Sequence, residues 1–363
     1  MSNPGLFTSR LFERLAAEGG LTFGGPAGPT QFQPASLDLT LGPVAYRLRA
    51  SFLPGPRRTV EERMADGLLM HAIDLSHEAV LERGCVYLVR LREGLALPAD
   101  VSGFANPKSS TGRIDVFTRL ITDYGASFDE IAEGYTGPLY AEISPRTFSI
   151  VVREGSSLNQ LRLKRGQARL TDDALAALHA SEPLVEGAGD IGGGVALTVN
   201  LAGAPGDLVG FRAKRHAALI HVDEVGRLDP RDYWDPIETP KSAAITLDPD
   251  EFYILASKEW LRIPPLYAAE MAPFNPLVGE FRVHYAGFFD PGFGCAEAGG
   301  EGGRGVLEVR SHEVPFVLED GQIIGRLIFE KLAEEPGALY GAGLGSNYQA
   351  QGLKLSKHFK AWA

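Results

Sequence analysis

Residues 107–113 read Pro-Lys-Ser-Ser-Thr-Gly-Arg and combine the groups that bind anions. Hydroxyls and backbone N–H groups can donate to phosphate oxygens, and an arginine can hold such an oxyanion through two N–H bonds at once. Ser109, Ser110 and Arg113 would supply these donors, with Lys108 as a second cation. A polar turn on a protein surface has the same composition. The segment by itself therefore leaves both interpretations open.

The sequence lacks the signatures of several other chemistries. It contains no GxxxxGK[ST] phosphate loop, and its glycine clusters at 192–194 and 299–305 lack the strand-then-helix setting of a dinucleotide-binding loop. Neither HExxH nor HxE followed by PCxxC is present, and Cys85 and Cys295 are too few for a cysteine-rich zinc site. The eight histidines include no i, i+4 pair. We therefore predict no metal ligands among the side chains, and no zinc.

The chain repeats itself at an offset of 166 residues. Three pairs of residues keep this offset: Tyr87 and Tyr253, Pro98 and Pro264, and Glu142 and Glu308. Between them, DYGASFD at 123–129 resembles HYAGFFD at 284–290 at an offset of 161, so the linking loops differ in length. Two unrelated β-domains could share strand-like text by chance, but they would not keep this order. We predict two copies of one β-domain of about 160 residues.

Hydrophobic spacing predicts short strands with a few short helices. Apolar residues at helical spacing predict a helix within residues 1–20, which Gly19 ends. Residues 85–98 and 138–155 are β-rich runs broken by proline and glycine. Thr171 is a suitable N-cap for a second short helix. The predicted organisation is a first domain at 1–170, a linker at 171–190 and a second domain at 191–363.

Composition and charge are those of a globular protein. The 43 glycines and 24 prolines among 363 residues indicate many turns. The formal net charge of −11 argues against a broad nucleic-acid-binding surface, so no nucleic-acid polymer is expected as a partner. No apolar run approaches 18 residues, and the first residues lack the cationic-then-apolar order of a secretion signal. We expect a soluble cytoplasmic protein with no membrane partner.

Several motifs occur along the first repeat in a characteristic order. QPASLDLTLG at 33–42 precedes the SSxxR segment at 109–113, which is followed by Asp129 and by the strand LYAEIS with Glu142. In this order the motifs closely resemble the dCTP deaminases, the branch of the trimeric dUTPase superfamily that deaminates without a metal site. The SSxxR motif alone is unspecific, whereas the ordered set is specific.

The end of the second repeat, YGAGLGSNYQAQGLKLS, resembles the tail that covers the nucleotide in this family. Tyr340 and Gln351 match the family pattern. Asn347 stands where the family has its lysine, so Lys354 or Lys357 would supply the cation. Because the SSxxR motif lies in the first repeat and the tail in the second, the chain resembles the long, tandem-domain branch of the family.

The resemblance implies fold, assembly and activity. The fold would be mainly β, with two tandem distorted β-barrels of the dUTPase-like, jelly-roll-like type and a few short helices. Three chains would form a homotrimer with about three competent sites. The activity would be hydrolytic deamination of dCTP to dUTP and ammonia, with Mg²⁺ bound to the triphosphate and dTTP as an inhibitor.

The resemblance also assigns roles to residues. Glu142 would carry protons, while Ser109 and Arg113 would position the attacking water and polarise the ring. The remaining residues would bind the nucleotide: Lys108, Ser110, Asp129, Tyr140, Ala141, Asp290, Tyr340, Gln351 and Lys354. Glu308 is the alternative proton carrier, in a site assembled from both repeats. We favour Glu142, because its own repeat supplies the serine and the arginine.

Two rival functions stay open on the sequence. A bifunctional enzyme would carry dCTP on to dUMP and release pyrophosphate. A non-catalytic regulator of the same fold would bind nucleotides without releasing ammonia.

Overall fold

The structure is a computed structural model that describes residues 3–28, 30–187, 189–272, 281–283, 287–311, 313–341 and 348–362. The chain forms two compact units, and most of the first comes from residues up to Ala168. Segments Ala218–Val225 and Leu332–Gly337 also belong to the first unit. The predicted division of the chain at one linker, residues 171–190, does not account for these two segments. The first pairs as a strand with Ile150 and Val151, and the second begins with a bridge to Leu6.

Short strands dominate the described residues. In chain order they are β1 (Gly5–Leu6), β2 (Leu21–Phe23), β3 (Leu37–Leu39), β4 (Leu41–Leu48), β5 (Leu69–Asp74), β6 (Ala79–Leu81), β7 (Val86–Ala96), β8 (Val101–Pro107), β9 (Val116–Thr122), β10 (Glu130–Ile131), β11 (Thr136–Pro145), β12 (Ile150–Val152), β13 (Asn159–Arg165), β14 (Val195–Thr198), β15 (Leu208–Ala213), β16 (Ile220–His221), β17 (Trp234–Glu238), β18 (Ala244–Leu247), β19 (Phe252–Leu261), β20 (Tyr267–Ala272), β21 (Phe281–Val283), β22 (Phe288–Phe289), β23 (Gly303–Ser311), β24 (Phe316–Glu319) and β25 (Ile323–Lys331).

Helices are few and short, as predicted. The described helices are α1 (Ser9–Ala17), α2 (Val60–Ala65), α3 (Ser109–Gly112), α4 (Asp172–Ser181) and the 3-10 turns Pro230–Asp232 and Ala296–Ala298. α1 begins later than the apolar spacing suggested, because Leu6 lies in a strand. Thr171 is the N-cap of α4 as predicted, and its hydroxyl accepts a hydrogen bond from the Ala174 N–H at 3.3 Å. None of the described helices is long and apolar enough to span a membrane.

The first unit contains three sheets. One has the strand order β1-β13-β8-β10, with β3 also paired to β13. The second has the order β5-β4-β7-β11-β9, with β2 also paired to β7. The third is β16-β12-β6. β11 lies inside the second sheet with a neighbour on each side, and its residues from Leu139 to Pro145 are buried.

The second unit repeats the core of this topology, while β1, β2 and β16 of the first unit have no counterpart among its described strands. Its sheets have the orders β14-β25-β20-β22, β17-β15-β19-β23-β21 and β18-β24. Each corresponds to one sheet of the first unit, with β23 in the position of β11 and β19 in the position of β7. The prediction of a mainly β chain with two tandem copies of one domain is therefore confirmed. The closure of each copy into a barrel stays a prediction.

A glutamate carboxylate is held in the same way in both units, by a buried residue in the first (Glu93) and a half-buried one in the second (Glu259). Glu93 on β7 accepts hydrogen bonds from the Thr40 N–H at 2.9 Å and from the Thr40 hydroxyl at 2.6 Å. Glu259 on β19 accepts the same two bonds from Thr198, at 2.8 and 2.6 Å. Gln31 donates a further bond to Glu93 at 2.6 Å. Burial raises the pKa of the Glu93 carboxyl, and these hydrogen bonds oppose that shift.

The Thr40→Val substitution tests this anchor, because valine keeps the shape of threonine and removes only the hydroxyl donor. We expect the free energy of unfolding to fall by about 1–3 kcal/mol at neutral pH. A carboxyl with a raised pKa opposes folding increasingly as the pH rises through that pKa, so the loss should be smaller at acidic pH.

Chemical denaturation of Thr40→Val at two pH values measures both effects. Thr198→Val is the matched variant in the second unit and should cost less at neutral pH, because Glu259 is half-buried and water can replace part of the lost hydrogen bond. Two variants as stable as the wild type would show that these hydroxyls do not stabilise the fold.

Candidate active site

The SSxxR segment folds as one helical turn, α3, between β8 and β9. Lys108 precedes the turn with an extended backbone, and its carbonyl accepts a hydrogen bond from the Thr111 N–H at 2.8 Å. Ser110 and Arg113 are buried, whereas Ser109 is half-buried. The two hydroxyls predicted to bind an anion therefore have different surroundings.

A buried aspartate that the sequence analysis missed fixes the turn from α3 into β9. Asp115 has a left-handed backbone with a φ of 55°, which Asp and Asn adopt more readily than bulkier residues. Its Oδ2 accepts a hydrogen bond from the Thr147 hydroxyl at 2.5 Å. Its carbonyl accepts one from the Arg146 N–H at 2.9 Å. These bonds tie α3 to the chain just after β11, and no local pattern reveals a partner 32 residues away.

The cation at the start of α3 is held by the aspartate of the QPASLDLTLG motif. Lys108 Nζ forms an ion pair with Asp38 Oδ2 and lies 3.4 Å from the Ser157 hydroxyl oxygen. A cavity of about 260 Å³ lies beside this pair and is also lined by Arg92 and Glu93. The motif order gave no partner for Asp38. In the structure it neutralises Lys108 and fixes the position of its ammonium group.

Glu142 occupies the centre of β11, between Leu88 on β7 and Arg119 on β9. Only 2% of its surface is exposed. Its Oε1 accepts hydrogen bonds from Arg119 Nε at 3.2 Å and from Arg119 Nη2 at 2.5 Å. Its Oε2 is buried and has no hydrogen-bond partner among the described residues. The carboxylate therefore has one oxygen held by an arginine and one oxygen available to a ligand.

Arg119, which the sequence analysis did not single out, is itself tightly placed. The centre of its guanidinium lies 3.5 Å from the centre of the Phe128 ring and 4.7 Å from that of the Phe117 ring. Its Nη2 also donates to the Ser51 hydroxyl at 2.9 Å. Stacking on aromatic rings and several hydrogen bonds suit the planar guanidinium group. The ion pair with Glu142 is thus part of a packed polar cluster.

Strand register separates α3 from Glu142 along β9. Val116, the first residue of β9, pairs with Pro145, whereas Arg119 pairs with Glu142 three residues further on. At about 3.3 Å per residue, this corresponds to about 10 Å along the strand. Ser109 and Arg113 precede β9, so the first unit places them beyond the Pro145 end of the strand pair.

Other predicted site residues of the first unit have packing or turn roles. Tyr140 is buried, and its hydroxyl donates to Glu61 Oε1 at 3.2 Å. Burial raises the pKa of Tyr140. Ala141 is fully buried and points to the opposite face of the sheet. Asp129 has a φ of 63°, and its Oδ1 accepts a hydrogen bond from the Leu120 N–H at 2.7 Å. The site roles predicted for these three residues stay predictions.

In the second unit, Glu308 occupies the position that Glu142 has in the first. Glu308 pairs with Ile254 across β23 and β19, as Glu142 pairs with Leu88 across β11 and β7. Both glutamates are buried. Asp290 is also buried and directly follows β22. Position in the sheet therefore does not distinguish the two glutamates.

The described part of the tail packs within the second unit. The Tyr340 hydroxyl accepts a hydrogen bond from the Tyr348 N–H at 3.3 Å. Gln351 is buried and its side-chain amide donates to a backbone carbonyl at 3.0 Å. Lys354 is exposed, with its Nζ 5.6 Å from the centre of the Tyr348 ring. Asn347 lies outside the described residues. This geometry does not test the prediction that the tail covers a bound nucleotide.

Two family models match the chain over nearly its whole length. Residues 3–167 match the N-terminal domain of 2'-deoxycytidine 5'-triphosphate deaminase. Residues 171–359 match the C-terminal domain of the same family.

One solved structure matches most of the chain, and several relatives match a shorter part of it. A crystal structure of 2'-deoxycytidine 5'-triphosphate deaminase from Agrobacterium tumefaciens is 53% identical, with a TM-score of 0.87 over 92% of this chain and 99% of that one. A relative from Mycobacterium ulcerans named "dCTP deaminase, dUMP-forming" is 30% identical over 145 residues, 39% of this chain and 71% of the relative. One of the same name from Beutenbergia cavernae is 32% identical over 151 residues, 39% of this chain and 74% of the relative.

Two substitutions of Tyr140 can show whether its ring or its hydroxyl stabilises the first unit. Its ring packs in a cluster with Leu48, Phe52, Val60, Leu88 and Ile121. Tyr140→Phe keeps the ring and should lower the free energy of unfolding by at most about 1 kcal/mol, whereas Tyr140→Ala should cost about 3–5 kcal/mol. Denaturant unfolding measures both values. Similar losses in the two variants would mean that the hydroxyl, and not the ring, stabilises the first unit.

Proposed function

This chain belongs to the dCTP deaminase family, and we propose that it hydrolyses the C4 amine of dCTP to give dUTP and ammonia. The observation that carries the proposal is the Glu142 carboxylate, buried on a central strand with one oxygen held by Arg119 and the other without a partner in the described part of the chain. Such a group can exchange protons with a bound ring in a site that excludes water.

The reaction needs a proton carrier and an oriented water. Water adds to C4 of the cytosine ring, while Glu142 takes a proton from it and delivers that proton to N3. A second transfer from the new C4 hydroxyl, again through Glu142, protonates the amine. The C4–N bond then breaks, ammonia leaves, and the C4 carbonyl of uracil remains. In this proposal Ser109 and Arg113 orient the water and the ring through preorganised hydrogen bonds, and no zinc takes part.

We propose the Mg²⁺ complex of dCTP as the substrate. Lys108 and Ser110 would meet its triphosphate, since a lysine and a hydroxyl are donors that suit phosphate oxygens. The carboxylate beside them, Asp38, is engaged by Lys108, so the phosphates themselves would hold the ion. Bound Mg²⁺ neutralises part of the phosphate charge. The homotrimer and inhibition by dTTP belong to the same proposal.

The names of the relatives favour a second candidate product. Relatives from Mycobacterium ulcerans and Beutenbergia cavernae are described as dUMP-forming. A bifunctional enzyme would add a second hydrolysis between the α- and β-phosphates and release pyrophosphate. The structure more similar to this chain, from Agrobacterium tumefaciens, is described only as a deaminase. We therefore place dUTP first and dUMP second.

Incubation of the purified chain with dCTP and Mg²⁺ separates the candidates, when both ammonia and pyrophosphate are measured. We expect one ammonia per dCTP consumed, no pyrophosphate, and no loss of rate with a zinc chelator. Stoichiometric pyrophosphate would establish the dUMP-forming activity. Binding of dCTP without any ammonia would instead identify a regulator and overturn the proposed function.

Glu142→Gln keeps the size and one hydrogen-bond acceptor of the side chain but cannot carry protons. We expect dCTP binding to persist and turnover to fall by at least about 100-fold, the low end for general acid–base catalysis. Glu308→Gln is the matched variant at the equivalent position of β23 and should retain most of its turnover.

Steady-state rates and equilibrium binding of dCTP check this pair of variants. Near-normal turnover in Glu142→Gln together with its loss in Glu308→Gln would move proton transfer to the second unit.

A further inference from the structure

We propose that Arg119 is a positioning residue that aims the free oxygen of Glu142 at the substrate ring. This inference rests on the proposed function and adds a residue to it. Arg119 lies directly opposite Glu142 in the β9–β11 pair, so its place is set by strand register and not by a flexible loop. It does not have to touch the substrate, because it acts through the carboxylate.

The hydrogen bonds to the carboxylate are one-sided. Arg119 Nε and Nη2 both donate to Oε1, at 3.2 and 2.5 Å, and Oε2 has no partner among the described residues. A carboxylate that turns freely about its last side-chain bond presents either oxygen in many orientations. Two donors on one oxygen restrict that rotation. They leave Oε2 as the atom that gives and takes protons.

Arg119 can hold Glu142 in place because it is itself immobilised. Phe117 and Phe128 lie against its guanidinium, with centre-to-centre distances of 4.7 and 3.5 Å, and Ser51 accepts a bond from Nη2 at 2.9 Å. An ammonium group in its place would keep the charge but lose the flat stacking surface and the paired donors. An Arg119→Lys variant should therefore retain only part of the ability to hold Glu142.

The competing explanation is that the ion pair merely strengthens the sheet. A buried ion pair is weak evidence for stability, since the cost of removing both charges from water offsets much of their attraction. The unsatisfied Oε2 supports the positioning role, because a buried polar atom without a partner is unfavourable unless a ligand completes it. Kinetic measurements distinguish the two roles.

The test compares kcat and KM of Arg119→Gln and Arg119→Lys in the full-length chain with Mg²⁺ and dCTP. We expect Arg119→Gln to lower kcat by at least about tenfold with KM changed less than about threefold, because the loss falls on proton transfer and not on binding. The kcat of Arg119→Lys should lie between that of Arg119→Gln and that of the wild type.

Arg165→Gln is the matched control. Arg165 has the same side-chain exposure as Arg119, 23%, pairs with Asp100 at 2.8 Å and lies over the Phe7 ring. It lies on β13 and takes no part in the proposed site, so its replacement should leave kcat unchanged.

A double-mutant cycle with Glu142→Gln gives a second test. A purely structural role of Arg119 does not predict that its effect on kcat depends on Glu142. If Arg119 acts through Glu142, Arg119→Gln adds no further loss of kcat once Glu142→Gln is present. Equal losses of kcat in both backgrounds would overturn the proposal, as would an Arg119→Gln variant with the kcat of Arg165→Gln.

Failure of the underlying function gives different results. A wild-type chain that releases no ammonia overturns both proposals. Deamination that depends on Glu308 and not on Glu142 overturns the role of Arg119 and leaves the deaminase activity standing.

Discussion

A carboxylate can be buried only when other groups replace the water it loses, and the buried Glu93 and Glu142 meet that requirement in two different ways. Glu93 and Glu259 each receive a backbone and a hydroxyl bond from one threonine, which engages both oxygens and anchors the sheet. Glu142 is compensated instead by Arg119, through one oxygen only. The first arrangement is complete and structural. The second leaves one buried oxygen without a partner among the described residues, and the proposed role of Glu142 rests on that difference.

The parts of the fold that depend on local pattern could be predicted from the sequence. The offset of 166 residues indicated a duplication, and both units have matching strand orders. Thr171 was identified as a helix cap because the signal for a cap lies within four residues. The start of α1 was less accurate, since Leu6 has the spacing of a helical residue but pairs as a strand. There a tertiary contact overrides the periodicity.

The polar contacts of the candidate site could not be predicted, because each joins positions distant in sequence. Lys108 and Asp38 are 70 residues apart, and Arg119 and Glu142 are 23 apart. Motif order singled out three of these four side chains without giving their partners. Arg119 carries no motif signal, so only the β9–β11 register reveals it. The same holds for Asp115, whose partner Thr147 becomes a neighbour only when β9 and β11 pair.

The two units share what folding requires and differ in what chemistry requires. An orphaned buried donor or acceptor costs about 1–3 kcal/mol, and each copy keeps a threonine–glutamate pair that satisfies such groups in its sheet. The serine pair is not part of that requirement, since the stretch of the second repeat that aligns with the SSxxR segment, APFNPLVGEF, has none. Equivalent position in the sheet is therefore evidence of shared folding and not of shared catalysis. Our preference for Glu142 rests on the serine pair in its own repeat. Arg119 then holds one of its oxygens and leaves the other for a ligand.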